Sequence, residues 1–263
     1  MGKPDYALLD SVGLHRLVFY PRQDWTPPPP GATDHLIPVG DDISISCRLY
    51  RIDHESPTIL YFHGNGEVVC DHDWVAPLYH KIGVNLFVAD YRGYGRSGGQ
   101  PTFADTAADT QVIFAYFIDT LLTSRSSQDI FVMGRSLGSL SAIELASSHP
   151  DVLKGMILES GSGNLARLFR YVHMTSNVTW LEDFEKACWA LVEAITIPSL
   201  MIHGDQDMVI PYDDGVLTYE HISATNKKLL TVADAGHNDI LLVGMDDYFE
   251  AIRELVFGRN GMI

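Results

Sequence analysis

Along the chain, short runs of consecutive apolar residues alternate with longer stretches in which apolar residues recur every three or four positions. The runs ISISCRLYRI (43–52), TILYFHG (58–64), NLFVADY (85–91), DIFVMG (129–134), GMILES (155–160), SLMIHG (199–204) and KLLTVA (228–233) predict strands. The middle ones are nearly continuously apolar, which suits strands buried on both faces of a sheet. Helical periodicity predicts helices near 73–82, 102–123, 137–148, 212–222 and 239–257. In the second of these, Ala107, Val112, Ile113, Tyr116, Phe117, Thr120 and Leu121 share one face. Strand–helix alternation of this kind predicts right-handed crossovers and a mostly parallel sheet with helices on both faces. The first strands, before residue 60, have no helix between them and are free to pair antiparallel.

Two stretches break the alternation. TPPPPGATD (26–34) has too many prolines for a helix or a regular ladder and predicts an extended surface connector. The segment 161–198 is longer than a simple crossover and carries one helical pattern: Trp180, Phe184, Ala187, Cys188, Leu191, Val192 and Ile195. It predicts one sheet-covering helix plus a small cap, whose aromatics Phe169, Trp180 and Phe184 are candidates to line a pocket. No repeat is evident, and residues 1–263 read as a single domain.

Charge narrows the partners. Eighteen basic and 34 acidic residues give a net charge of −16, which repels phosphate backbones and anionic membrane surfaces, so no nucleic-acid partner is expected. The N-terminal MGKPDYALLD has no apolar signal core, Tyr6 occupies the place where a myristoylation signal has Ser or Thr, and no stretch is long and apolar enough to span a bilayer. A cytoplasmic protein without a membrane span is the expectation. Cys47, Cys70 and Cys188 are widely spaced and form no CxxC pair, so they read as buried thiols rather than as a disulfide or zinc framework. His63, His72 and Asp73 match no strong ligand spacing, and neither a metal nor an organic cofactor is expected.

The candidate chemistry begins at FVMGRSLGSL (131–140). Ser136 lies in a Gly-x-Ser-x-Gly frame between a predicted strand and a predicted helix, the context of a nucleophile elbow. A serine hydroxyl needs a base within hydrogen-bond reach and an anion to orient that base. In open α/β sheets such groups gather beyond the carboxyl ends of strands. His237, in ADAGHND after the last predicted strand, is the leading base. Asp207, in HGDQDMVIP, is the favoured acid, with Asp205 and Glu159 as alternatives. For a developing oxyanion, the backbone N–H of Leu137 supplies one donor. The glycine-bearing loop HGNG after TILYF supplies the other, assigned to Asn65.

Taken in order, HGNG, DYRGYGRSGG, GRSLG, HGDQD and AGHND resemble the α/β-hydrolase superfamily over roughly residues 35–257, especially its compact, small-capped esterase-like or serine-aminopeptidase-like members. The resemblance implies an α/β-hydrolase fold and a triad of Ser136, Asp207 and His237, with an oxyanion hole at Asn65 and Leu137. It also implies a small-molecule acyl substrate cleaved through an acyl-enzyme. Arg135, bulky and charged beside the nucleophile, departs from better-known relatives, and no large lid is evident. An ester or thioester hydrolase is expected. An amide or peptide hydrolase, with Glu67 or Asp71 receiving a substrate amine, is the alternative, and a catalytically silent binding scaffold is the third reading.

Overall fold

The structure, a computed structural model, describes residues 2–40, 42–172 and 179–258. Eight strands form one sheet: β1 (Ala32–Gly40), β2 (Ile43–Tyr50), β3 (Thr58–Phe62), β4 (Asn85–Ala89), β5 (Ile130–Arg135), β6 (Gly155–Glu159), β7 (Ser199–Gly204) and β8 (Lys227–Val232). Their order is β1-β2-β4-β3-β5-β6-β7-β8, with β1, β2 and β4 paired antiparallel and every later pair parallel. This is the α/β-hydrolase fold.

The period-2 pleat divides the core between two faces. On β3, Leu60 and Phe62 point to the side covered by the helices Phe103–Thr123, Ser139–Ser148 and Leu181–Glu193. Ile59 and Tyr61 point to the side covered by the helices Ala76–Lys81 and Met245–Phe257. Strands β3 to β7 are buried almost throughout, as their unbroken apolar runs require.

The strand β1 was not anticipated. Pro38 and the polar Thr33, Asp34 and His35 hide it from a periodicity count, yet a proline is tolerated on a sheet edge, where one row of backbone groups faces away from any partner. The connector predicted for 26–34 therefore ends at Ala32. The helix expected over 239–257 is two helices, Ile240–Val243 and Met245–Phe257. They divide at Gly244, whose backbone lies against Val232 too closely for a side chain. Within 161–198, the helices Leu168–Tyr171 and Leu181–Glu193 flank residues 173–178, so the middle of the predicted cap lies outside the described residues. Phe169 and Phe184 are buried and packed edge-on against Trp180, and none of the three borders the cleft that holds Ser136 and His237: they are core, not pocket wall. Cys47 and Cys188 are buried, whereas Cys70 is partly exposed, contrary to the expectation for all three thiols.

Candidate active site

Because β3, β5, β7 and β8 run parallel, the loops that follow them meet at one rim of the sheet. The chain leaves β5 through a short 3₁₀ turn, Ser136–Gly138, before the helix Ser139–Ser148 begins. At the crest, Ser136 has φ +51°, a conformation uncommon for a residue with a side chain and one that lifts its hydroxyl clear of the turn. The flanking glycines are required by close approach. A side chain on Gly134 would collide with the Gly138 backbone, and one on Gly138 would collide with the carbonyl of Phe62 at the end of β3.

His237 Nε2 lies 3.0 Å from Ser136 Oγ, and His237 Nδ1 lies 2.7 Å from Asp207 Oδ2. The other oxygen of Asp207 accepts the backbone N–H groups of Val209 (2.8 Å) and Ile210 (2.9 Å), which fixes the carboxylate after the turn that leaves β7. Burial opposes the charge on Asp207. Contacts with His203 and His237, the charge of His237 and the Ile210 N–H outweigh it and hold the carboxyl well below the usual range. His203, fully buried with Nε2 on the Ile210 carbonyl at 2.9 Å, packs beneath this turn. Asp205 instead accepts the backbone N–H of Asp234 at 2.8 Å, and Glu159 binds Arg135 and Tyr248, so neither alternative acid meets His237.

Asn65 and Leu137 border the same cleft as Ser136 and His237, a space of about 370 Å³ whose apolar walls include Leu165, Leu168, Val209 and Ile210. The Asn65 side chain is held from three sides. Its Oδ1 accepts the Tyr20 N–H (2.8 Å) and the Tyr94 hydroxyl (2.6 Å), and its Nδ2 donates to the Val18 carbonyl. The segment before β1 thus braces the HGNG loop. Beneath the loop, buried His63 places Nε2 3.1 Å from Asp90 Oδ1, and the Tyr91 hydroxyl donates to the His63 carbonyl at 2.6 Å. Burial disfavours charge on His63, but Asp90 outweighs it and raises its pKa.

Sequence reasoning assigned no role to Arg135, and the structure gives it one. Its Nε donates to Glu159 Oε1 (3.0 Å), its Nη1 to Glu67 Oε1, and its Nη2 to the His237 carbonyl (2.9 Å) and Asn238 Oδ1 (2.8 Å). Glu67 Oε2 in turn accepts the Gly64 N–H at 2.9 Å. One guanidinium, beside Ser136, therefore ties together the HGNG loop, the end of β6 and the loop that carries His237. The signal available in the sequence was a charge at the end of each of two buried strands, Arg135 and Glu159, which are register partners. Glu67 and Asp71 do not border the cleft. Glu67 is engaged by Arg135, and Asp71 by Arg22 at 2.5 and 2.7 Å.

Comparison with known proteins agrees with the fold. Residues 53–180 match the family described as serine aminopeptidase, S33. Protein bem46 of Schizosaccharomyces pombe is 27% identical over 205 residues, covering 76% of this chain and 67% of that protein. The human alpha/beta hydrolase domain-containing protein 17B is 28% identical over 215 residues, covering 81% and 70%. The chain thus spans about two thirds of the length of these curated relatives. Among solved structures, the Pyrococcus furiosus esterase Pf2001 superposes with a TM-score of 0.71 at 22% identity, over 89% of this chain and 97% of that one, a likeness of fold. The chain is a member of the α/β-hydrolase superfamily.

Proposed function

We propose that this protein is a serine hydrolase that cleaves a carboxylic ester or thioester through an acyl-enzyme. The observation that carries the reading is the unbroken chain from Ser136 Oγ through both nitrogens of His237 to Asp207. His237 takes the Ser136 proton as the hydroxyl attacks the acyl carbon, while Asp207, kept ionised by its contacts, orients the ring and stabilises the imidazolium. The oxyanion forms against the backbone N–H groups of Leu137 and Asn65. Removal of one such donor costs roughly 2.7–4 kcal/mol elsewhere. Protonated His237 then releases the alcohol or thiol, and a water activated by the same ring frees the acid. No metal or organic cofactor enters this scheme.

The apolar cleft supports a short or medium acyl chain. An aminopeptidase reading needs a group for a substrate amine. Glu67 and Asp71, the acids that sequence reasoning offered for that purpose, lie outside the cleft that holds Ser136, so the ester or thioester reading is favoured. No helix among the described residues is long and apolar enough to cross a membrane, and a cytoplasmic location remains part of this proposal.

The test is a panel of short and medium nitrophenyl esters, acyl thioesters and aminoacyl anilides, assayed with wild type and Ser136→Ala. Ester or thioester turnover that falls more than about a thousandfold in the variant is expected. Preferential turnover of the anilide, or turnover unchanged by the substitution, refutes the proposal.

A further inference from the structure

A second cavity, of about 260 Å³, lies beside the catalytic cleft, with Arg135 and Asn238 forming part of both walls. Its walls are unusually aromatic, carrying the rings of Tyr61, Tyr79 and Tyr248. At its mouth stand Trp74, 61% exposed, and Leu242, 82% exposed.

Two polar atoms in this wall have no hydrogen-bond partner among the described residues. Tyr61 is only 5% exposed, and its hydroxyl is unbonded, in contrast to the hydroxyls of Tyr79 and Tyr248, which bond each other at 2.9 Å. The carboxylates of Glu159 and Glu67 act electrostatically on that phenol, placing it at the polar end of the cavity. Buried His72 has Nε2 3.9 Å from Glu67 Oε2, beyond hydrogen-bond range, while its ring packs edge-on against Tyr61 at 4.8 Å. Neither atom is sealed from solvent, so both are open to an occupant of the cavity.

The charge inventory indicates the sign of the occupant. Glu67 and Glu159 share the single cation Arg135, and Asp71 is matched by Arg22. Burial lowers the pKa of His72, so that it faces the cavity as a neutral ring, leaving one carboxylate in excess. An anion would meet repulsion here, and a neutral molecule would leave the excess unanswered.

We propose that this cavity binds a small primary alkylammonium. Its cation sits against the Glu67 and Glu159 carboxylates and the tyrosine rings, and its N–H groups donate to the Tyr61 oxygen and the free nitrogen of His72. Its apolar tail extends toward Trp74 and Leu242. Aromatic faces attract cations, and three N–H donors match the acceptors available. The site is separate from the catalytic cleft and does not rest on the hydrolase reading.

The experiment is isothermal titration calorimetry on the full chain carrying Ser136→Ala, with n-butylammonium chloride as the probe and n-butanol as its neutral counterpart. Butylammonium binding that is at least about tenfold tighter than butanol binding, and that weakens by about tenfold on adding Tyr61→Phe, is the expected result. Tyr61 is absent from the catalytic cleft, so this variant separates the two sites. His72→Phe, on another part of the wall, gives the same readout if Tyr61→Phe does not fold. Equal binding of the two probes, binding indifferent to the wall substitution, or no binding of butylammonium overturns the proposal.

Discussion

Arg135→Met tests the reasoning about the clamp, because it removes a cation from between two largely buried carboxylates while keeping an apolar stem of similar length. The side chains of Arg135, Glu67 and Glu159 are 12%, 26% and 5% exposed, so water screens the group weakly. Removing one partner of a buried pair costs about 3–5 kcal/mol, which for a chain of this size is a fall in Tm of roughly 6–20 °C. The penalty has a predicted pH dependence. In the wild type, burial opposes the Glu67 charge but Arg135 outweighs it, so the folded pKa lies below the unfolded one and the carboxyl is ionised in both states near neutrality. Without Arg135, only the weaker influences of His72, His63 and the Gly64 N–H oppose burial, and the folded pKa is expected to rise above the unfolded one. The folded variant then binds more protons, and its stability falls as pH rises through that interval. Urea unfolding of both proteins at pH 7 and at about pH 5 should therefore show the larger difference at pH 7. Adding Glu67→Gln should recover part of it. A difference below about 1 kcal/mol at pH 7, or one that grows on acidification, refutes the argument.

Two further substitutions probe the site itself. Asp207→Asn should leave the protein folded but lower kcat by about 10⁴-fold, since a neutral amide stabilises neither the required tautomer nor the imidazolium; steady-state ester hydrolysis beside circular dichroism checks this. Asn65→Ala retains the backbone donor but releases its three anchors to Val18, Tyr20 and Tyr94, and should reduce kcat by up to about 100-fold with little change in KM, measured on the same ester.

The parallel half of the sheet was legible because its strands are buried on both faces, so that β3 to β7 appear as unbroken apolar runs closed by turn residues. The positions of Ser136, Asp207 and His237 followed from those runs, each residue standing in a loop just beyond a strand. Edge strand β1 was not legible: Leu36 is half exposed beside buried Ile37, and Pro38 reads as a breaker unless the edge is already known. Nor could periodicity show that Trp180, Phe169 and Phe184 pack on one another rather than on a substrate, because an apolar aromatic has the same local pattern in either setting. The clamp at Arg135 depends on Glu67, Glu159 and Asn238, which are separated by up to 171 positions, and on strand register that local sequence does not encode. Likewise, nothing near HGNG announces that Val18 and Tyr20 come to brace Asn65.

The central claim is that the Ser136 hydroxyl is made nucleophilic by His237. Its most direct measurement is mass spectrometry of the intact protein after exposure to a fluorophosphonate, with peptide mapping of the adduct. The account predicts a single adduct on Ser136, formed quickly in the wild type, slowly in His237→Ala and not at all in Ser136→Ala. A folded wild-type protein that takes up no label, or takes it up at another residue, contradicts the account.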